Sequence, residues 1–530
     1  MRALTYGLAL LVTPVLHGLS FPPWSLWWLA WVAFVPWFAA IRLASTNTRA
    51  VLITCFTTLA GSWVVAGWLP RAVSSYWGQP PWVGAALLAG VWLVTVAPAV
   101  VVFTLCYRGA ARRHGASMAF VAGAAWAGTE YARVELGIGD PFGLLGYSQV
   151  PVSSLVQIAD VTGVYGLSFA VAAVNAALAE AWLAGLGHAR LGGALGSLVT
   201  AVAAVGLCLG YDAVGDEPEA EGPPQVVAVA QANLDLGTQW RQELYGKNLT
   251  EHLELTHAAL TPIRPALVVW PESAMTFFVE DEPLYRQSIG SVLTPADVEL
   301  VAGGVRVEER PGGPRYYNAA FLLAPSGQIV AHYDKQHLLP FAEYFPFGSI
   351  AVLKRQFGRV REFTPGPATP PLPTGIGAAG VAICNEVMFP GIVARRVRAG
   401  AELLVNLSND SWLGDRQYSL QALDMARMRA IEQRRDVIRA STSGPSAIID
   451  ASGDVVASTE PFSRGTVSGE VHRRVQRSFY ASIGDGFAIA CAAAVVLELL
   501  GGLGRWRRRP RAEKDVPAEA VLPERKRVGS

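Results

Sequence analysis

The sequence predicts a protein in two solvents: an α-helical membrane bundle of eight spans, joined to a water-exposed domain of alternating strands and helices. Three observations predict it. Only 16% of the 530 residues are charged and 52% are hydrophobic, whereas a soluble domain carries about a quarter charged residues. The charge is unevenly spread: residues 1–210 hold 14 of the 85 charged residues, and none of the 14 is lysine. Apolar runs of spanning length fill that first region, and short strand-like runs alternate with helical ones in the second. A disordered, fibrous or small soluble protein is excluded. The net charge of +1 gives no electrostatic basis for a nucleic-acid partner.

A bilayer core needs roughly 20 apolar residues per helix. Spans are expected near 4–20, 24–43, 50–70, 82–106, 115–132, 163–186 and 191–210, with an eighth near 483–503. Trp24, Trp27, Trp28, Trp31 and Trp37 crowd the second run, as an interfacial belt favours. A buried bundle in a soluble protein is the weaker reading, because runs this long and this poor in charge are hard to bury otherwise. The first run has no obvious small-residue cleavage site and further spans follow it, so it reads as a span and not as a signal peptide. The expected organisation is a membrane domain over 1–212, a polar domain over 225–478, an eighth helix over 482–504 and a basic tail over 505–530.

Loop charge gives orientation. Arg2, Arg42, Arg49, Arg108, Arg112, Arg113 and Arg190 fall on one side of the spans, together with the arginine-rich tail; the other side holds little beyond Arg71 and Arg133. The positive-inside rule then puts the N-terminus and tail in the cytoplasm and residues 211–480 on the outer side. The loop over 133–149 is rich in Gly, Pro and aromatic residues. It suits a re-entrant or interfacial segment beside a lipid entrance, or a plain surface loop.

The acidic, Pro- and Gly-rich stretch 215–224 reads as a linker. After it, 226–230, 266–270, 299–302, 319–323, 380–384 and 403–407 look like strands, and 247–260 and 420–435 like helices. This alternation argues an α/β or α+β domain of roughly 260 residues. The Pro-rich stretch 365–375 is a candidate lid.

Of the five cysteines, only Cys384 lies outside the expected spans. No disulfide can then form within the polar domain, and no Cys/His spacing suits zinc. A lone cysteine is more often buried and inert than a working thiol. Cys384, however, ends the apolar run 380–383, where a nucleophile is exposed at a sheet edge near backbone N–H groups. No histidine is near it in sequence, so its base would be a carboxylate brought by the fold. Glu272 also follows an apolar strand and could be that base, or simply a favourable charge at a helix start. Lys335 follows the run 330–334 and is one of three lysines in 211–480, with Lys247 and Lys354. It suits a developing oxyanion, or a solvated surface.

Glu, Lys and Cys at three strand ends in this chain order resemble the nitrilase superfamily. The detail is similar to its membrane branch, the apolipoprotein N-acyltransferases. The matching pieces are Val269-Trp270-Pro271-Glu272-Ser273-Ala274, Tyr333-Asp334-Lys335-Gln336-His337, Glu343-Tyr344-Phe345-Pro346, Ala382-Ile383-Cys384-Asn385-Glu386, Asn406-Leu407-Ser408-Asn409-Asp410 and Met425-Ala426-Arg427-Met428. Leu19-Ser20-Phe21-Pro22-Pro23 and Leu145-Gly146-Tyr147-Ser148-Gln149 add to them. The resemblance implies a four-layer αββα nitrilase-type domain on an eight-helix base. It implies Glu272 as general base, Lys335 as oxyanion stabiliser and Cys384 as nucleophile, with the Asn385 N–H in the oxyanion hole. It also implies that Glu343 supports the site, that Glu386 holds the Cys384 loop, and that Trp240, Tyr344 and Trp412 lie near substrate. Three positions depart from the family pattern: Asn385, where an aromatic is usual, Ala422, where His is frequent, and Ser443-Gly444, where Asn-Asn-Gly is common.

The implied reaction moves an acyl chain from a phospholipid, through a Cys384 thioester, to the α-amine of a diacylglyceryl-cysteine on an apolipoprotein. The implied setting is the bacterial inner membrane, with the catalytic domain on the periplasmic side, no metal and no organic cofactor. Two other readings stay open on the sequence alone. One is a membrane-tethered amidase or hydrolase with water as second nucleophile, and the other a non-catalytic lipid-binding homologue. On this reading, Lys335→Ala is expected to lose the first chemical step with folding unchanged.

Overall fold

The structure is a computed structural model, which describes residues 2–111, 118–136, 139–215, 219–234, 242–262, 264–345 and 362–507, with side chains to residue 501. Among them the helices of the apolar region are α1 (Arg2–Leu19), α2 (Val35–Leu43), α3 (Asn47–Val65), α4 (Trp68–Trp77), α5 (Pro81–Val94), α6 (Val96–Ala111), α7 (Met118–Glu135), α8 (Val164–Gly185) and α9 (Leu191–Val214). Four of these, α1, α3, α8 and α9, are long and apolar enough to cross a membrane, and α5 with α6 makes a fifth if the bent pair is one span. Of the eight spans expected from the sequence, the described residues thus form four, or five, that are clearly long and apolar enough. The outward faces are apolar: Leu11, Val199, Val202 and Leu207 are 70–73% exposed, a surface that suits lipid and not water.

The interruptions have identifiable causes. Pro36 stands at the start of α2, and the run before it breaks into short turns at Trp27–Leu29 and Ala30–Ala33. Proline cannot donate to the preceding turn, so the break leaves backbone groups without helical partners. Asn175 of α8 pairs two of them: its Oδ1 accepts from the Phe34 N–H at 2.8 Å and its Nδ2 donates to the Ala30 carbonyl at 2.8 Å. Backbone inside an apolar layer must find such partners. Pro98 acts likewise in the fourth run, where α5 and α6 meet at 42°.

The polar region forms two six-stranded sheets. The strands are β1 (Gln225–Gln231), β2 (Leu267–Val269), β3 (Glu299–Glu308), β4 (Arg315–Leu323), β5 (Ile329–Asp334), β6 (Leu372–Thr374), β7 (Gly377–Ile383), β8 (Leu403–Ser408), β9 (Val437–Ser441), β10 (Ala447–Ile449), β11 (Val455–Ser458) and β12 (Gly465–Val471). One sheet has the order β12-β1-β2-β3-β4-β5 and the other β11-β10-β9-β8-β7-β6. β1, β2 and β3 run parallel, as do β7, β8 and β9. Side chains alternate between faces. Val227, Val229, Val269, Val381, Ile383 and Val405 meet in the core between the sheets. On the outside of the first sheet, α10 (Tyr245–Ala259) and α11 (Pro283–Leu293) pack on Ala228, Ala230 and Val268. On the outside of the second, α12 (Pro390–Arg398) and α13 (Arg416–Gln433) cover Ala382, Leu404 and Val437. The result is a four-layer αββα domain. A last apolar helix, α14 (Gly486–Arg507), follows.

The α12–α13 layer faces two ways, because its core is continuous with Val65, Trp68, Leu144 and Tyr165 of the helical base. α13 begins at Asp415, whose carboxylate caps Gln417 and Tyr418 N–H groups and pairs with Arg71 at 2.7 Å. Gln417 and Gln421 donate to the carbonyls of Val64 and Val65, the last of α3, at 2.9–3.1 Å. Near its other end Arg429 bonds Glu432 at 2.9 Å and the Tyr147 hydroxyl at 3.1 Å, and Arg434 bonds Asp160 at 2.8 Å. Arg42–Glu180 lies away from these contacts, at the ends of α2 and α8, 2.6 Å apart. Arg71 and the 133–149 loop thus lie on the domain side. Residues 144–149 of that loop are buried, whereas Leu136 is exposed. The stretch 365–375 is not a free lid. Its Gly366 N–H donates to the Lys335 carbonyl at 2.8 Å, and 372–374 form β6.

Candidate active site

Three strand ends converge. β2 ends at Val269, and the chain turns through Pro271 and Glu272 with Ser273 at φ +59°. β3 lies hard against this turn at Gly303: a Cβ there would stand 2.6 Å from Glu272 Cα and 2.7 Å from the Pro271 carbonyl. Only glycine permits that approach. β5 ends at Asp334, and the Lys335 N–H donates to the Asn318 carbonyl of β4 at 2.8 Å. β7 ends at Ile383, and Cys384 opens a 3₁₀ turn to Met388 with φ +52°. A non-glycine residue in the left-handed region is uncommon and costs energy, and such strain clusters at functional sites.

The side chains meet in a closed network. Lys335 Nζ is 2.8 Å from Glu343 Oε2. Asn318 Nδ2 donates to Glu272 Oε1 and to Glu343 Oε1, each at 2.7 Å. Glu343 Oε2 also accepts from the Leu339 N–H at 2.7 Å. Glu272, Lys335, Cys384, Glu343 and Asn318 are all buried. Cys384 and Glu272 are electrostatically coupled, each shifting the proton affinity of the other.

Burial sets the charge states. Burial, then the charge of Glu343, raises Glu272 above the ordinary carboxylate value, against the pull of Lys335, Asn318 and the thiol. Burial and then Glu272 raise the Cys384 thiol well above its usual range. Burial alone would lower Lys335, but Glu343, Cys384 and Glu272 outweigh it and hold the ammonium charged. Two carboxylates face one ammonium, so a thiolate would add a second uncompensated charge. A Cys384 thiolate is therefore disfavoured while Glu272 is ionised. A consequence is measurable: were the Glu272 carboxylate to take the Cys384 proton, covalent modification of Cys384 would slow as pH drops through that raised pKa. The acid limb of the rate profile is expected above 4.5, the unshifted value. A limb at or below it would show that Glu272 is not the proton acceptor.

Glu386 ties two of the strand ends together. Its carboxylate is wholly buried and accepts from the N–H groups of Gln336 at 2.9 Å, His337 at 3.0 Å and Ile383 at 2.9 Å, and from the Tyr333 hydroxyl at 2.8 Å. One end of this clip holds the Lys335 turn and the other the Cys384 turn. Arg396 lies over the Tyr333 ring, 4.5 Å from its centroid, and donates to the Val381 carbonyl at 3.1 Å.

Beside this network, bordered by Leu339 and Asn385 and not by the five network side chains themselves, a cavity of about 280 Å³ extends into the helical base. Its lining runs from Asn385, Met388 and Tyr418 to Gly61 of α3, Leu88 of α5 and Trp126 of α7. Residues 139–143 border it, so the 133–149 loop does flank an apolar cavity. Trp412 lines it too, edge-on to Tyr76 at 5.4 Å. Tyr344 does not line it; its carbonyl accepts from the Phe341 N–H at 2.8 Å. Trp240 lies outside the described residues. Among the described residues no group of three or more His, Cys, Asp or Glu side chains is placed to hold a metal.

Sequence reasoning missed two supports. Asn318 bridges both carboxylates, and its only signal was a lone polar residue heading the apolar run of β4. Arg439 and Asp410 form a wholly buried ion pair at 3.0 Å behind the β8 and β9 ends. An arginine inside the short apolar run of β9 was the signal there, since a buried charge needs a partner.

Residues 226–480 match the carbon-nitrogen hydrolase family, and residues 14–177 match the apolipoprotein N-acyltransferase N-terminal domain. An apolipoprotein N-acyltransferase of Geobacter metallireducens is 33% identical over 486 residues, covering 91% of this chain and 92% of that one. One of Brucella melitensis is 31% identical over 480 residues, covering 85% and 87%. One of Ralstonia nicotianae is 29% identical over 510 residues, covering 93% and 92%.

Proposed function

The chain belongs to the apolipoprotein N-acyltransferase family, and from that membership we propose that Cys384 carries the acyl group as a thioester between two membrane substrates. The protein is a bacterial membrane acyltransferase that N-acylates lipoproteins. The donor on this reading is a phospholipid, and the acceptor is the α-amine of a diacylglyceryl-cysteine. The observation that carries it is the convergence of Glu272, Lys335 and Cys384 beside a cavity shared with the helical base.

In the first half-reaction Glu272 takes the thiol proton as Cys384 Sγ attacks the ester carbonyl carbon. The carbonyl electron pair moves onto oxygen, where the Lys335 ammonium and the Asn385 N–H stabilise it. The intermediate collapses, the C–O bond breaks, and Glu272 returns the proton to the departing lysophospholipid. In the second, the amine nitrogen attacks the thioester carbon and loses a proton to Glu272. The C–S bond breaks, the thiol regains the proton, and an amide leaves. Splitting the transfer gives two lower barriers and ping-pong kinetics. Every proton and electron pair is accounted for without a cofactor. Glu343 supports the site by fixing Lys335, Glu386 by fixing the Cys384 turn, and Trp412 flanks the substrate.

The proposed topology is eight crossings, some of them broken, with the catalytic domain on the periplasmic side and the N-terminus and tail in the cytoplasm. The contact of the domain with one set of helix ends supports a single-sided placement. The arginines on the other ends support the orientation.

The covalent route is tested with purified protein in phospholipid micelles. An acyl adduct released by hydroxylamine is expected, absent in Cys384→Ser, and discharged as an amide by a diacylglyceryl-cysteine peptide. No adduct on the unsubstituted protein would sink the route. Release only as free fatty acid would favour hydrolysis.

A further inference from the structure

Asn385 directly follows the nucleophile, and its side chain does not behave as packing. It is 5% exposed, lines the cavity beside Met388, Leu413 and Tyr418, and its Oδ1 has no hydrogen-bond partner among the described residues. A buried carbonyl oxygen left unpaired in an apolar wall is unfavourable, so a ligand group that pairs with it gains by doing so. Oδ1 is an acceptor and needs a donor. The two half-reactions differ in that respect. The ester group of the acyl donor carries only acceptors around its reacting carbon. The amine that enters in the second half-reaction carries N–H groups on the attacking atom itself.

We infer that the Asn385 carboxamide positions the acceptor amine for attack on the acyl-thioester. The inference rests on the covalent route proposed above. One amine proton goes to Glu272 and a second, retained on nitrogen in the amide product, points to Asn385 Oδ1. That hydrogen bond orients the nitrogen lone pair toward the thioester carbon and is absent when the ester donor occupies the site. Asn385 is thus a positioning residue of the second half-reaction through its side chain, separate from its backbone N–H.

The test loads the protein with a labelled acyl chain from phospholipid micelles and then follows discharge by two nucleophiles. One is a diacylglyceryl-cysteine peptide. The other is 2-mercaptoethanol, whose S–H is a weak donor. The ratio of amine discharge to thiol discharge is expected to fall about tenfold in Asn385→Leu, the effect of one lost hydrogen bond. A misplaced backbone would slow both nucleophiles and leave the ratio unchanged, and that result would overturn the inference. If Asn385→Leu does not load, Asn385→Ala removes the carboxamide without adding bulk and carries the same measurement. Failure of both to load would assign the side chain to the first half-reaction and overturn the inference as well. Absence of a thioester on the unsubstituted protein is a distinct result, because it removes the covalent route itself.

Discussion

Lys335→Ala is expected to abolish the hydroxylamine-labile adduct and to lower stability by about 3–5 kcal/mol. Both effects come from one placement. The ammonium is 1% exposed, lies 2.8 Å from Glu343, and is the cation facing Glu343 and Glu272 together. Without it two buried carboxylates face each other with Asn318 as their shared donor. One must take up a proton, and a protonated Glu272 cannot accept the thiol proton. Loss of an oxyanion donor alone is worth about 10²–10³ in rate, and loss of the base adds to it. Mass spectrometry of the adduct and denaturant unfolding measure the two arms. The sequence alone suggested that folding would be unaffected, because a lysine at a strand end reads as exposed; burial between carboxylates reverses that expectation. Adding Glu343→Gln to Lys335→Ala should recover part of the stability and none of the adduct. An unchanged unfolding midpoint in Lys335→Ala would refute the buried-charge account.

Glu386→Ala is expected to be comparably severe for a different reason. Four donors lose their acceptor at once: the Tyr333 hydroxyl and the N–H groups of Gln336, His337 and Ile383. Orphaning buried donors costs about 1–3 kcal/mol for each group left unpaired, so a loss of about 3–5 kcal/mol is a conservative expectation. The turn after Lys335 and the turn holding Cys384 are released from each other. Misplacement by about 1 Å is enough for about 10²-fold in rate. Glu386→Gln keeps an acceptor oxygen and should retain more stability than Glu386→Ala. Equal thermal midpoints for the two variants would mean that the hydrogen bonds are not what holds the clip.

The strand ends before Glu272 and Cys384 were legible because each follows an apolar run, whereas the run 330–334 before Lys335 is mixed and carries a weaker signal. β9 was not legible, since Arg439 and Ser441 interrupt the apolar pattern that marks a buried strand. Their partners, Asn406, Asp410 and Ser446, are brought up by the fold. The broken spans were partly legible: Pro36 and Pro98 sit inside runs long enough to cross, and both end helical hydrogen bonding locally. What could not be read was the repair, because Asn175 lies 141 residues from Phe34. Trp412 lines the cavity and Tyr344 does not, because a shared motif fixes neighbourhood without fixing which side chain turns inward.

The position of α13 has a consequence for how the chain is put together during synthesis. Its glutamines close the open end of α3 across 352–356 residues. Membrane helices that emerge first therefore wait, with Val64 and Val65 carbonyls uncapped, until more than three hundred further residues have been made. The base cannot reach its final form as an independent early unit, and the last-made third of the chain completes the first-made third. Contacts so distant along the chain form late and slowly. Interrupted synthesis between α3 and α13 leaves a membrane fragment with unsatisfied backbone at its surface, the kind of species that quality-control proteases remove.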